Sequence, residues 1–224
     1  MDELIEMRTF FDNIALDYDK KIADKADADL ESKTIAASFI PGNAESLIDF
    51  GVGTGMELEA VFSRIPDIKV TGLDISENML KMLKDKYFGY NVRLLCESYL
   101  DYDFEREKYD AALSVKSFHH YGHDEKTMLY KKIYTCLNDG GVYIECDKMV
   151  LEQSEEDYIF AEYERLKQFR GIYDGEAHHF DTPCTVSNQI KMLRTAGFSH
   201  VREVWRKDSE RGLIIILTAE KRSE

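Results

Sequence analysis

A chain of 224 residues is long enough for one domain with a sizeable core. Its 44% hydrophobic content is ordinary for a globular protein, and no run approaches the roughly 20 apolar residues that span a bilayer. The net charge of −14 counts against a nucleic-acid partner, because such binding rests on lysine and arginine neutralising phosphates.

The acidity is concentrated. Residues 1–45 carry eleven acids against five bases, and residues 152–164 hold Glu152, Glu155, Glu156, Asp157, Glu162 and Glu164 with no base. Such runs are usually a solvated face. Where they cover a site they favour a small or cationic substrate over RNA. Cys96, Cys136, Cys146 and Cys184 are scattered, with no C-x-x-C pair and no zinc spacing, so reduced thiols are expected. Met1-Asp2-Glu3 has no cationic lead of a secretory signal, and a cytoplasmic protein is expected.

In chain order, residues 1–40 read as two helices, with Leu4, Met7, Phe10, Phe11, Ile14 and Tyr18 on one face and Leu30, Ile35, Ala36 and Phe39 on the second. Pro41-Gly42 ends them. Leu47 to Phe50 is a short apolar run of the kind buried in a parallel sheet, interrupted by Asp49. Gly51, Gly53 and Gly55 follow, and then a helical pattern through Leu58, Val61 and Phe62. Glycines there permit a tight turn and a close approach of backbone to a ligand. Ile68 to Leu73 forms a second strand ending at Asp74, and Ser76 caps the next helix. Strands follow at Val92–Leu95 and Tyr109–Val115. A helix from about Asp124 to Leu137 is stopped by Asn138-Asp139-Gly140-Gly141, and Val142 to Ile144 is a fifth strand. An acidic helix spans Ser154 to Arg170, and another spans Val186 to Thr195. Val201–Trp205 and Leu213–Leu217 are joined by too short a turn for a parallel crossover, so they pair as a hairpin.

Strand, glycine turn and helix open a nucleotide-binding α/β unit. The dinucleotide fingerprint G-x-G-x-x-G would need glycine where Met56 stands. No lysine or arginine lies between Leu47 and Phe62 to meet a pyrophosphate. Asp49 followed by G-x-G-x-G resembles motif I of the class I S-adenosylmethionine-dependent methyltransferases, and the resemblance extends over most of residues 10–220. It implies a doubly wound, mainly parallel seven-stranded sheet with a C-terminal antiparallel hairpin. Residues 1–45 would then be an N-terminal helical cap, and 46–224 a Rossmann-like domain with a substrate-covering insertion at about 150–185.

The resemblance also implies roles for residues. Asp49 and the Gly51, Gly53 and Gly55 turn would face the methionine end of S-adenosyl-L-methionine. Asp74 would accept the ribose hydroxyls; an aspartate before Ser76 also serves as a helix cap. Ile75 and Met79 would sandwich the adenine, although both fit a core equally well. Glu97 would take the adenine amino group, with the Ser98 backbone against the ring; glutamate stands here where the family often has Gly-Asp. Ser114 to Ser117 would line the sulfonium. Phe10-Phe11-Asp12-x-x-Ala15-x-x-Tyr18-Asp19 is similar to a family helix that folds over the cofactor, so Tyr18 is a candidate contact.

Methyl transfer to a small-molecule acceptor needs alignment and a dry site. His119 is the candidate base, with His178 and His179 as alternates; backbone hydrogen bonding is the competing role for His119. With Asp181 or Glu176 the histidine pairs could form a metal site, but adjacent histidines seldom ligate together, and no metal is expected. A tRNA or rRNA methyltransferase, an NAD oxidoreductase disfavoured by Met56, and a non-catalytic or modified-cofactor S-adenosylmethionine binder are the rival readings. A monomer or homodimer is expected.

Overall fold

The computed structural model describes residues 4–23, 27–104, 107–172, 178–209 and 212–222. Seven strands form one sheet in the order β3-β2-β1-β4-β5-β7-β6. They are β1 (Ser46–Phe50), β2 (Lys69–Asp74), β3 (Val92–Cys96), β4 (Tyr109–Val115), β5 (Leu137–Lys148), β6 (Ser199–Ser209) and β7 (Gly212–Glu220). β1 pairs in parallel with both β2 and β4, β2 with β3, and β4 with β5, whereas β7 runs antiparallel to β5 and to β6. The expected sheet and terminal hairpin are therefore both present.

The helices are α1 (Met7–Ala23), α2 (Asp27–Ser38), α3 (Leu58–Arg64), α4 (Glu77–Lys86), α5 (His123–Cys136), α6 (Gln153–Arg170) and α7 (Val186–Thr195). No described helix is long and apolar enough to cross a membrane. Two apolar layers flank the sheet. Leu47, Ala111, Leu113, Ile144 and Cys146 pack with Ala36, Ala37 and Val61 of α2 and α3. Ile48, Phe50, Ala112 and Tyr143 pack with Tyr130, Ile133 and Leu193 of α5 and α7. Strand side chains alternate, so Asp49 shares the α2/α3 face with Leu47.

Two expectations are corrected. Asn138 to Gly141 is not a turn between helix and strand: β5 begins at Leu137, bulges against β4, and passes Gly140 at φ +76°. Leu30 is half exposed rather than part of the core. The hairpin strands also run further than the apolar pattern showed, to Ser209 and from Gly212.

The cofactor end of the sheet is built by local chemistry. Ser76 accepts the Met79 N–H at 3.1 Å, capping α4, and its hydroxyl donates to Asp12 of α1 at 2.6 Å. Asp19, two turns beyond, takes Lys86 at 2.5 Å and the Thr54 hydroxyl. The two aspartates of the N-terminal motif thus fasten α1 across the glycine turn. Ser76→Ala is expected to cost about 1 kcal/mol of stability by thermal denaturation, the usual loss for an N-cap.

Candidate active site

The carboxyl ends of β1, β2 and β4 open into a cleft holding about 680 Å³ of space between protein atoms. It lies at the switch point where the strand order reverses, the place where open α/β sheets take ligands. α1 roofs it through Met7, Phe11 and Tyr18. Gly51 and Gly53 form its floor, with φ of +74° and +52°. Asp74 organises the turn: its two oxygens accept the Gly53 N–H and the Ser76 N–H, each at 2.8 Å. Burial pushes its carboxyl up to about 6, although these two backbone hydrogen bonds pull the other way.

Residues anticipated from sequence that line the cleft are Tyr18, Gly51, Gly53, Asp74, Ile75, Met79 and Ser98, and Val115 to Ser117 of the stretch after β4. Gly55 lies behind it, where an added Cβ would meet Leu83 at 2.9 Å. Glu97 is exposed and outside the cleft, and its backbone N–H joins Asp74. Ser114 faces away, because alternation along β4 turns it to the α5/α7 side. There its hydroxyl meets Tyr143 at 2.7 Å.

Asp49 is buried beneath the turn, and neither of its oxygens takes a hydrogen bond from the described residues. Burial and the charge of Glu57 raise its pKa well above the usual carboxylate range. Glu57 lines the cleft, with one oxygen bonded to Lys33 at 3.1 Å and the other unpartnered. Lys33 reaches this place from α2, and burial of its ammonium is outweighed by Glu57, so its pKa is raised. An ammonium group in the cleft would satisfy the open carboxylate oxygens, so these residues fit the amino-acid end of S-adenosylmethionine. Neither Lys33 nor Glu57 was anticipated. Glu57 is two residues beyond Gly55, but Lys33 carries no local signal.

The histidines meet at one edge of the cleft. Asp147, at the end of β5, accepts the Phe118 and His119 N–H groups at 2.9 and 3.0 Å and the His119 ring Nδ1 at 2.5 Å. Burial would raise Asp147, but the charge and hydrogen bond of His119 bring it down to about 2. Burial opposes charge on His119 too, yet Asp147 and Asp181 raise its pKa. The His119 Nε2 lies 3.3 Å from Asp181, so both ring nitrogens are engaged and His119 does not line the cleft.

His120 does line it, together with Tyr121, and both also line a second groove bounded by Phe160 and Tyr163 of α6. Burial and the neighbouring His119 lower the His120 pKa well below the ordinary value. His179 stacks on Phe10 with ring centroids 3.5 Å apart and lies 4.8 Å from His120. Burial lowers its pKa. His178 is buried where it bridges to Glu6. Glu176 lies outside the described residues.

A cleft at the switch point of a seven-stranded sheet of this order, with an acid closing β2 and a glycine turn after β1, defines a class of α/β cofactor-binding domains. The methyltransferase domain family matches residues 47–141. Over 172 residues the chain is 30% identical to the carboxy-S-adenosyl-L-methionine synthase of Nautilia profundicola, covering 72% of this chain and 73% of that protein. The enzyme of the same name from Campylobacter lari is 28% identical, over 75% of each. Magnesium protoporphyrin IX methyltransferase from Synechocystis, solved with bound SAH, superposes with a TM-score of 0.68 at 16% identity, covering 96% of this chain and 97% of that one. The chain belongs to the class I S-adenosylmethionine-dependent methyltransferases, as motif I had implied. Its cofactor is S-adenosylmethionine.

Proposed function

We propose that this enzyme methylates a small-molecule acceptor held where the cofactor cleft meets the groove beneath α6. The observation that carries this reading is the shared wall: His120 and Tyr121 face both spaces. The sulfonium supplies an activated methyl group, so the sulfur–carbon bond breaks as the bond to the acceptor forms. The chain's own work is orientation and exclusion of water. Phe11 and Tyr18 cover the cleft, and Asp74, Asp49 and Glu57 hold the two ends of the cofactor. His119, engaged on both nitrogens, acts on the acceptor through its cluster with Asp181 and His120. Acid residues dominate the covers, which supports a small acceptor over RNA.

The test is turnover of radiolabelled cofactor with a panel of small hydroxyl, amine and thiol compounds. Replacing His120 by alanine is expected to lower kcat by about 10²-fold, the size of one positioned catalytic group, with cofactor affinity within a few-fold of wild type. Unchanged kcat would remove His120 from the reaction.

Cofactor binding is also expected to depend on pH. Asp74 must be ionised to accept the ribose hydroxyls, and its carboxyl titrates at about 6. Affinity by calorimetry should be full above about pH 7 and weaken by up to about tenfold per unit below about pH 6. Asp74→Asn should abolish that dependence.

A second reading is favoured by Lys116, which lines the cleft with a left-handed backbone at φ +54°. A cation there suits a cofactor carrying an extra carboxylate, as the name of the Nautilia profundicola relative describes. Mass spectrometry of the nucleoside released from the purified protein separates the two readings.

A further inference from the structure

Asp147 fixes more than the position of His119. Because its carboxylate faces Nδ1 at 2.5 Å, the neutral imidazole keeps its proton on that nitrogen and has its lone pair on Nε2. The lone pair points at an oxygen of Asp181, 3.3 Å away. His120 Nδ1 approaches the same oxygen at 3.5 Å and the Phe180 carbonyl at 3.2 Å. These atoms now share protons, and a cation placed among them would replace those protons as the positive partner.

We infer that His119 Nε2, His120 Nδ1 and Asp181 Oδ1 form a binding site for a divalent transition-metal ion. The three atoms lie within 4.8 Å of one another. Bonds of about 2.1 Å in tetrahedral geometry separate neighbouring ligands by about 3.4 Å, which matches the two histidine–aspartate distances. Two imidazoles and one carboxylate suit zinc or ferrous iron rather than magnesium. Asp147 supplies the partner that metal-bound histidines usually have on their other nitrogen. Adjacent histidines seldom ligate together when both use the same ring atom; here one turns Nε2 inward and its neighbour Nδ1.

The surroundings suit an ion that is exchanged and meets substrate. Lys148 binds the second oxygen of Asp181, which holds the carboxylate while leaving Oδ1 open. The Asp181 side chain is 37% exposed, so the ion has a way in. Thr182 donates its N–H to the His119 carbonyl at 2.6 Å, locking the loop that carries Asp181 over the histidines. His120 also lines the cofactor cleft and the neighbouring groove, so an ion held by it would sit at the wall the two spaces share. Its use, which rests on the proposed methyl transfer, is to bind an acceptor oxygen and lower that oxygen's pKa. The acceptor class is then a hydroxyl or phenol able to ligate through oxygen.

Equilibrium dialysis of the full chain against Zn²⁺, followed by metal quantification, tests the site without any turnover. One equivalent is expected, with affinity falling at least about 100-fold in Asp181→Asn and His119→Ala and about 10- to 100-fold in Asp147→Asn. Lys148→Met is expected to tighten binding, because it removes a positive charge from the far oxygen of the ligand. A second group, His123, Glu156 and Cys184, could also hold zinc. Cys184→Ser must therefore leave stoichiometry and affinity unchanged, and the Co²⁺ form must show no thiolate charge-transfer band.

Should His119→Ala fail to fold, Asp181→Asn decides, since its side chain is partly exposed. No bound zinc in the wild type, undiminished binding in Asp181→Asn, weaker binding in Lys148→Met, or loss in Cys184→Ser would each overturn the inference. Calorimetry with S-adenosylmethionine on metal-free protein is read separately. Intact cofactor binding without zinc binding would sink the metal site alone, and zinc binding without methyl transfer would sink the proposed function alone.

Discussion

Replacing Gly51 by alanine is expected to remove measurable cofactor binding and to lower the melting temperature. Two separate physical terms act at this position. The backbone sits at φ +74°, where an L-side chain costs about 1–2 kcal/mol. An added Cβ would lie 2.1 Å from the Ser117 Oγ and 2.8 Å from its Cβ, a contact that forces the β4–α5 turn or the glycine turn to move. Overpacking of that kind costs about 1–3 kcal/mol. Gly51 cannot retreat easily, because its N–H donates to the Leu73 carbonyl at 2.7 Å. Together the terms predict a loss of about 2–5 kcal/mol, or roughly 4–20 °C in a domain of this size. The double variant with Ser117→Gly separates them. It relieves the contact and leaves the backbone strain, so it should recover about half of the stability and part of the binding. A Gly51→Ala protein that binds cofactor as tightly as wild type would contradict the close approach.

What was legible in the sequence was local. Asp49 to Gly55, the Asp74–Ser76 strand-to-helix junction and the bounds of β4 and α7 follow from short-range rules: apolar runs, glycine punctuation and capping. The parallel sheet and its terminal hairpin were also accessible, because strand–helix alternation and a short last turn leave few alternatives. The site residues divide by the same criterion. Asp74, Ile75 and Ser98 lie at or just beyond strand ends and Met79 in the first turn of α4, so their place in the cleft follows from the sheet and its β2–α4 junction. Ser114 does not line the cleft because its side chain follows the two-residue alternation of β4 to the opposite layer, and a linear motif carries no record of that face. Of the adjacent histidines the sequence pointed to His119 as the base, whereas Asp147, 28 residues away, binds that ring and leaves His120 to the cleft. Lys33 is further still, contributed by α2 to a carboxylate 24 residues on, and nothing at either position announces the pairing. Long-range polar contacts of this kind are set by the packed fold, not by the local pattern.

Asp147→Ala is expected to be the most destabilising change among the polar residues near the histidines, while leaving the cofactor cleft nearly intact. The carboxylate sits in a buried place with 1% exposure, where water cannot substitute for it. Its removal strands the Phe118 and His119 N–H groups and the His119 ring N–H in one step. An unsatisfied buried donor costs about 1–3 kcal/mol, and breaking a buried charged pair by deleting one partner costs about 3–5 kcal/mol. These terms overlap because they describe the same atoms, so about 3–5 kcal/mol is expected overall, or roughly 6–20 °C in melting temperature. The effect on binding should be far smaller. Asp147 does not line the cleft, and Asp74, Glu57 and the glycine turn stand on other strands and loops. Calorimetry with S-adenosylmethionine below the lowered melting point should therefore give an affinity within a few-fold of wild type, whereas kcat falls because His119 and His120 lose their fixed orientation. Asp147→Asn retains an acceptor oxygen of the same shape, so it should recover much of the stability and little of the kcat. Equal recovery of both would assign Asp147 a purely structural role.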